Sequence, residues 1–278
     1  MRLKHFFINK IAHSSYLLVG NEACAVIDPQ RDVDHYINEA RSLGVDITHI
    51  FQTHLHADFI SGHMDLAQKT GAKIYAPKSA NCTFEHIGVS EGDTVEIENM
   101  ALNVIETPGH TPEHVCYVVV DRSRGESPIG VFVGDTLFVG DVGRPDLFPD
   151  MAVELAGKLF HSLHDKLMKL PDYCEVYPAH GAGSLCGRAM GAKWVTTIGY
   201  ERKFNPALQI KDKDSFIKSL TEDMPPAPDY FSRSSDINRI GPARIDELPN
   251  MEELSVSQFK QKMEQPNFQV LDTRSYLA

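Results

Sequence analysis

His54, His56 and Asp58 occupy alternate positions of one short segment. The segment follows an apolar run at 47–52 that is typical of a short buried strand, and it precedes a pattern at 60–70 that predicts a helix. Imidazole nitrogens and a carboxylate on such a loop can converge on one metal ion, whereas residues two apart within a helix face different directions. Taken alone, this spacing is weak evidence, because a solvated polar loop explains it better.

Three further predicted strands end in residue types that bind metals. His110 follows one strand in Thr-Pro-Gly-His-Thr-Pro, Asp135 ends a second in Gly-Val-Phe-Val-Gly-Asp, and His180 ends a third in Tyr-Pro-Ala-His-Gly. Chance does not readily place such residues at four strand ends. The sequence therefore predicts one metal site where these ends meet.

Predicted strands and helices would position these residues. Strands and hairpins come first and a helix follows, and this order occurs twice in the sequence. A helix is predicted at 33–43, between a possible N-cap at Asp32 and Gly44, and another at 152–170 from its apolar spacing. A further helix is predicted at 193–203. Strands are predicted at 3–8, 15–19, 23–27, 47–52, 115–120 and 129–133. This order predicts an α/β fold in which two sheets pack face to face, with helices outside and loops gathered at one edge.

Composition narrows the class of protein. The chain has 278 residues, 42% hydrophobic and 23% charged, which is ordinary for a soluble globular protein. Its net charge of -11 argues against a nucleic acid or an anionic membrane as partner. The apolar runs are too short for a membrane span or a signal peptide. Five scattered cysteines indicate thiols of a reducing compartment, so we expect a cytoplasmic location.

Composition changes near residue 224. Closely spaced prolines and a Gly-Pro pair predict a linker over 224–250. Beyond it, a helix is predicted at 253–263 and a strand at 268–272. A tail of about forty residues is too short for an independent core. It either packs on the main domain or begins a further domain.

The site motifs resemble those of the metallo-β-lactamase superfamily over residues 1 to about 220. Three further motifs look like its persulfide dioxygenase branch. These are Gly134-Asp-Thr-Leu-Phe138, Gly143-Arg144 and Glu201-Arg202-x-x-Asn205-Pro206. The resemblance implies an αββα sandwich of two packed mixed sheets flanked by helices, in a domain over 1–223.

The end of the chain resembles a different family. Val-Leu-Asp-Thr-Arg at 270–274 is similar to the opening of a rhodanese domain. The resemblance implies an incomplete rhodanese-like domain over 251–278, of the kind that is fused to some persulfide dioxygenases. The catalytic cysteine loop of a rhodanese is absent from this chain, so we expect no sulfurtransferase activity from it.

Phe59 is the main departure from the hydrolases of the superfamily. Those enzymes resemble one another in using two metals, and the second site needs a histidine directly after the aspartate. Here Phe59 follows Asp58, and a phenyl ring has no lone pair. A depleted second site would support a metal-bridging hydroxide less well.

The resemblance assigns one Fe(II) per chain to His54, His110 and Asp135. Two imidazoles and one carboxylate leave positions open for substrate and O₂ together, which suits non-haem Fe(II). The groups that would then orient ligands or donate hydrogen bonds are His56, Asp58 and His180. The residues alone leave open the opposite allocation, with His56 as a ligand.

The resemblance also implies the reaction. A small thiol persulfide, such as glutathione persulfide, reacts with O₂ and water to give the thiol and sulfite, in sulfide detoxification. Arg144 resembles the family arginine that meets glutathione, and guanidinium suits a carboxylate. A surface arginine is the competing interpretation. A homodimer is expected from the resemblance alone.

The loop after His180 departs from the glutathione-using relatives. They have Asp-Tyr at the next two positions, where this chain has Gly181 and Ala182, so a substrate contact is missing. Cys186 lies on the same glycine-rich loop. Its thiol either carries persulfide sulfur, since thiolates attack sulfane sulfur, or is a small buried apolar group.

Two other functions compete. A glyoxalase II-like thioester hydrolase with zinc or mixed metals is disfavoured by Phe59 and by the lack of that family's longer helical substrate domain. A catalytically idle module that delivers sulfur to a fused domain is disfavoured by the intact set of His54, His110 and Asp135. Oxygen uptake distinguishes all three.

Overall fold

The computed structural model describes residues 1–222, 224, 226–250 and 252–273. The chain divides into two units, Met1–Pro242 and Ala243–Ala278. The first unit holds both large sheets and all the candidate site residues. Among the described residues, no helix is both long enough and apolar enough to cross a membrane.

The first sheet has six strands in the order of the chain. They are β1 (Arg2–Ile8), β2 (His13–Val19), β3 (Ala23–Ile27), β4 (Asp46–Phe51), β5 (Lys73–Pro77) and β6 (Ile87–Val89). The first three pair antiparallel, and β3 through β6 pair parallel. The sheet is therefore mixed, and its parallel half requires crossover connections.

The second sheet is also six-stranded and mixed. Its first four strands are antiparallel neighbours: β7 (Thr94–Ile97), β8 (Met100–Glu106), β9 (Val115–Asp121) and β10 (Pro128–Gly134). A small hairpin follows, made of β11 (Leu137–Phe138) and β12 (Asp141–Val142). The sheet is completed by β13 (Glu175–Pro178), parallel to β10, and by β14 (Thr196–Thr197).

Helices cover the outer face of each sheet. The helices of the first unit are α1 (Asp34–Leu43), α2 (His63–Thr70), α3 (Ala152–His161), α4 (Ile198–Phe204), α5 (Pro206–Gln209), α6 (Lys213–Thr221) and α7 (Phe231–Ile240), and the second unit contains α8 (Val256–Met263). Tyr36 of α1 and Leu66 of α2 pack on the first sheet, and Leu159 of α3 and Phe216 of α6 pack on the second. The predicted α/β sandwich of two mixed sheets flanked by helices is thus confirmed.

The main core lies between the sheets. Leu18 and Phe51 of the first sheet meet Leu102, Tyr117 and Phe132 of the second, and all five are almost fully buried. Burying each such side chain stabilises the fold by roughly 1.5–3 kcal/mol. This core fixes the two sheets against each other, so the loops at their common edge have a rigid base.

Two predicted helices differ from the structure. The expected helix at 152–170 is α-helical only to His161 and continues as a π-helical turn, Ser162–Lys166, and a 3₁₀ turn, Leu167–Lys169. Apolar spacing marks the buried face but does not distinguish these windings. A helix expected to begin at Lys193 begins instead at Ile198, because Thr196 and Thr197 pair with β13 and the Thr197 hydroxyl caps the helix.

The segment that the sequence predicts as a linker, 224–250, contains a packed helix. Residues 231–240 form α7, which belongs to the first unit and buries Phe231, Ser234 and Asn238. The prolines that suggested a linker precede this helix, and Gly241 with Pro242 ends it. Turn-forming residues mark where a helix can stop, but they do not show that the segment between them is unpacked.

The second unit contains a short 3₁₀ turn, Ile245–Glu247, and α8. Ser255 caps α8 and forms a capping box with Gln258. The strand expected at 268–272 is not formed, because a single extended segment without a neighbouring strand has no ladder to join. Arg274, the last residue of the rhodanese-like motif, lies outside the described residues.

Candidate metal centre

The site forms at one edge of the sandwich, where four strands end. The loop after β4 carries His54, His56 and Asp58, the loop after β8 carries His110, and Asp135 and His180 follow β10 and β13. Gly134 makes the close approach of these loops feasible. Its φ is +50°, and a Cβ there would collide with the side chains of His114 and Thr53.

His54, His110 and Asp135 come together in one buried group. One donor atom from each lies within 4.8 Å of the others. Asp135 Oδ2 is 3.8 Å from His54 Nε2 and 3.3 Å from His110 Nε2. All three side chains are almost fully buried, so any ion held between them would be shielded from bulk water.

Hydrogen bonds fix which nitrogen of each histidine faces this point. The Thr53 hydroxyl donates to Asp28 Oδ2 at 2.9 Å, so its oxygen is free to accept from His54 Nδ1, also at 2.9 Å. His110 Nδ1 donates to the backbone oxygen of Arg144 at 2.8 Å. Both Nδ1 atoms therefore carry the proton, and both Nε2 lone pairs are directed at Asp135.

Asp28 anchors the first histidine loop and was missed in the sequence. Its carboxylate accepts the Thr53 backbone N–H at 2.8 Å and lies 3.2 Å from His56 Nε2. The residue has a φ of +51°, a conformation that is uncommon for a residue other than glycine. Its position directly after β3, like that of Asp135 after β10, is the signal that could have identified it.

His180 bridges two carboxylates. Its Nδ1 lies 2.7 Å from Asp135 Oδ1, and its Nε2 lies 2.9 Å from Asp58 Oδ2. Burial lowers the pKa of this imidazole, but Asp135 and Asp58 outweigh burial and hold the pKa well above its ordinary value. His180 is therefore an imidazolium that donates to both carboxylates and fixes their orientation.

The ring of Phe59 lies against two histidines. Its centroid is 4.6 Å from that of His56 and 4.2 Å from that of His13. His56 Nδ1 and Asp58 Oδ1 are buried and form no hydrogen bond within the described part of the chain. Phe59 thus gives this side of the site an apolar wall where a further donor would complete a second metal site.

Cys186 lies with Asp58 and His180 in a second group of donor atoms, again within 4.8 Å of one another. The thiol is almost fully buried. Burial and the nearby carboxylates of Asp135 and Asp58 raise its pKa well above the ordinary value. The structure therefore places a neutral thiol beside the site.

Arg144 is buried rather than exposed. Its guanidinium donates two hydrogen bonds to the Asp146 carboxylate, both at 2.7 Å, and a third to the backbone oxygen of Leu185 at 3.2 Å. The alternative of a surface arginine is therefore wrong. A substrate carboxylate would have to share or displace the contact with Asp146.

A largely apolar pocket of about 540 Å³ borders the histidine loop. Leu55 and Ala57, which alternate with the candidate site residues, form one wall, and Phe231 of α7 forms another. Leu147 and Met151, which follow Arg144 in the sequence, also line the pocket. Its volume suits a small molecule.

The donor group fits a divalent transition metal. Two Nε2 lone pairs and one carboxylate oxygen converge at a buried point, and the second nitrogen of each imidazole is held by a hydrogen bond. This is the pattern of a metal site in which outer groups orient the ligands. Three protein donors leave further coordination positions for substrate.

Comparison with known proteins agrees with the fold. Residues 8–180 match the metallo-beta-lactamase superfamily, and the chain belongs to that superfamily. The crystal structure of a metallo-beta-lactamase from Staphylococcus aureus subsp. aureus COL superposes with a TM-score of 0.82 at 35% identity, covering 87% of this chain and 73% of that one. The fold class predicted from the sequence is confirmed.

Two curated relatives differ in their activities. Persulfide dioxygenase ETHE1, mitochondrial, of Mus musculus is 31% identical over 223 residues, which are 78% of this chain and 80% of that protein. Hydroxyacylglutathione hydrolase of Maricaulis maris (strain MCS10) is 37% identical over 153 residues, 54% of each chain. The relatives support a metal-dependent enzyme, but the two named activities are different reactions.

Proposed function

We propose that this chain is a mononuclear non-haem iron dioxygenase that oxidises a low-molecular-weight thiol persulfide to the thiol and sulfite. The observation that carries the proposal is Phe59. It follows Asp58 and packs on His56, where two-metal hydrolases of the superfamily have a ligand. The similarity to persulfide dioxygenase ETHE1 over most of both chains supports the same conclusion.

His54, His110 and Asp135 would hold one Fe(II). When bound, Fe(II) supplies a centre at which persulfide sulfur and O₂ can react together. His180 Nδ1 lies 2.7 Å from Asp135 Oδ1 and 3.0 Å from Oδ2, and Oδ2 is the oxygen that faces the two histidines. Phe59 limits water on one side of the site, which protects a reactive sulfur species from competing reactions.

The persulfide would lie between the metal site and the adjoining pocket. The wall formed by Leu55 and Ala57 suits the carbon skeleton of the thiol. Arg144 is the proposed contact for a substrate carboxylate, and Asp146 holds its guanidinium in place until substrate arrives. This arrangement is compatible with glutathione persulfide but does not require it.

Thioester hydrolysis is the second candidate function. The similarity to hydroxyacylglutathione hydrolase over 153 residues favours it. Two observations argue against hydrolysis. Asp58 is hydrogen-bonded to His180, and the next residue, Phe59, has no atom that could bind a metal. A second metal would have to take His180 away from both of its carboxylate partners.

Oxygen consumption tests the proposal. Protein loaded with Fe(II) without oxygen is mixed with glutathione persulfide in aerated buffer, and O₂ and sulfite are both measured. We expect uptake with matching sulfite, and the Asp135→Ala variant as the inactive control. Uptake with another persulfide alone would identify a different thiol. No uptake with any persulfide, together with thioester cleavage, would replace the proposal by hydrolysis.

A further inference from the structure

Helix α7 lies outside the part of the chain that matches the superfamily, yet it reaches the metal centre. The match ends at residue 180, and α7 spans Phe231–Ile240. Asn238 on this helix is 1% exposed. A primary amide has one acceptor oxygen and two N–H donors, so a buried asparagine is stable only where all of these are satisfied.

Among the residues that the structure describes, the Asn238 amide hydrogen-bonds only to the backbone of the first histidine loop. Its oxygen accepts the Ser61 N–H at 2.9 Å. Its nitrogen donates to the backbone oxygen of His56 at 2.8 Å and to that of Phe59 at 2.9 Å. One side chain therefore satisfies three backbone groups within six residues of the loop.

The residues that hydrogen-bond to Asn238 include or flank the side chains of this loop that line the site. His56 and Asp58 face the centre, and Phe59 forms its apolar wall. The far end of the loop is fixed separately, because the Ser61 hydroxyl donates to the backbone oxygen of Pro29 at 3.1 Å. Without Asn238, the carbonyl groups of His56 and Phe59 would lose these donors, and a buried carbonyl group without a hydrogen-bond donor is unfavourable.

We propose that Asn238 is a positioning residue for the metal centre, acting through the backbone of residues 56–61. The inference rests on the proposed metal site but not on the identity of the metal or of the substrate. It places α7 inside the catalytic unit. Removing the amide should loosen the loop, and the site should then bind metal less tightly, by about tenfold or more.

Two substitutions separate the parts of the interaction. Asn238→Ala removes all three bonds, whereas Asn238→Asp keeps an acceptor for the Ser61 N–H and loses both donors. Arg233→Gln is the matched control, since Arg233 is on the exposed side of the same helix and does not line the pocket beside the histidine loop. Each full-length variant is checked for cooperative unfolding in urea before use.

The readouts are hydrogen exchange at the Ser61 amide and affinity for Co²⁺, measured by its visible spectrum. We expect faster Ser61 exchange in Asn238→Ala, retained protection in Asn238→Asp, and at least about tenfold weaker Co²⁺ binding in both. The control should match the wild type. Unchanged Co²⁺ affinity and spectrum in a folded Asn238→Ala variant would overturn the proposal.

A measurement on the wild-type chain covers the case in which both variants fail to fold. Because coupling between two sites is reciprocal, Co²⁺ binding must in turn stabilise the contact with Asn238. Exchange at Ser61 and across α7 should slow as Co²⁺ saturates the site. If Co²⁺ protects the loop but leaves α7 unchanged, the helix is not coupled to the centre. Either result is independent of whether the protein oxidises persulfides.

Discussion

His114 accepts a hydrogen bond from the backbone N–H of Asp135 through its Nε2 atom, at 3.0 Å. Its Nδ1 atom therefore carries the proton and lies 2.9 Å from the hydroxyl of Thr107. The ring also stacks on His54, with centroids 4.9 Å apart and planes at 19°. Burial, followed by the proximity of His110, lowers the pKa of His114 to about 3. One neutral imidazole thus supports two of the proposed ligands.

The His114→Phe variant should retain stacking on His54 and lose the acceptor for Asp135. We expect metal affinity to fall by about tenfold and the free energy of unfolding to fall by about 1–3 kcal/mol. Competition titration with a coloured chelator and urea unfolding measure the two effects. His114→Gln, which can present an acceptor, should lose less. Equal metal affinity in all three proteins would show that this hydrogen bond does not position Asp135.

Replacing Asp135 by alanine should abolish metal binding and dioxygenase activity together. The variant loses the one carboxylate of the donor group and leaves His180 with a single partner, Asp58. Metal content after loading and desalting, measured by atomic emission, checks the first effect. Asp165→Ala, at an exposed aspartate, is the control. Normal iron content with normal turnover in Asp135→Ala would refute the ligand assignment.

Arg144→Ala should raise the KM for glutathione persulfide and leave kcat nearly unchanged, if its guanidinium meets the substrate carboxylate. The substitution spares the bond from His110, because that bond uses the backbone of Arg144. Asp146→Asn should have the opposite effect on KM, since it weakens the pair that occupies the guanidinium. Steady-state oxygen uptake gives both constants. An unchanged KM in Arg144→Ala would assign the arginine to loop structure alone.

Cys186 should react slowly with iodoacetamide in the folded protein. Its thiol is buried, and burial with nearby carboxylates raises its pKa well above the ordinary value, so little reactive thiolate forms at neutral pH. Mass spectrometry of peptides after timed alkylation measures the rate, with urea-unfolded protein as the reference. Rapid labelling of the folded chain would favour the sulfur-carrier interpretation over the buried apolar one.

His63 should make the protein sensitive to acid. Burial and the charge of His56 lower its pKa to about 3, and neither ring nitrogen is hydrogen-bonded within the described residues. The unfolded chain binds this proton near pH 6.5, so stability falls as the pH drops from about 6.5 towards 3. By pH 5 the loss should reach about 2 kcal/mol.

The His63→Phe variant isolates this effect. The loss of unfolding free energy between pH 8 and pH 5 should be smaller in the variant than in the wild type by about 2 kcal/mol. The new ring can pack on Phe84, whose ring lies 4.7 Å from that of His63. His161→Phe at the surface serves as the control. Equal losses in variant and wild type would show that His63 is protonated in the folded state.

The sequence was sufficient for the fold class and for three donors that the structure brings together, His54, His110 and Asp135. Val115–Asp121 is a valine-rich run with all seven residues buried, and such runs predict interior strands directly. His54, His110 and Asp135 each follow a strand, and strand ends at one edge of a sandwich meet. Both signals lie in short stretches of sequence, so they can be recognised without the tertiary structure.

What the sequence could not show are contacts between distant residues. The sequence left two interpretations of Arg144, a substrate contact and a surface residue. Its burial and its pairing with Asp146 are visible only in the folded chain. Asp28 and His114 support the ligands through hydrogen bonds to residues that are distant in the sequence, and no spacing pattern predicts such bonds. Asn238 stood in a segment whose prolines suggested a linker.

The long separation between Asn238 and the loop has a consequence for biosynthesis. Asn238 follows His56 by 182 positions, and all the proposed metal ligands are made before it. A nascent chain that has reached only residue 230 therefore contains every donor but lacks the amide that holds the loop. Proteins are made from the N-terminus, and their domains generally fold as units. If Asn238 positions the loop as proposed, the metal centre reaches its final geometry only near the end of translation of the first unit, after all its proposed ligands have been made.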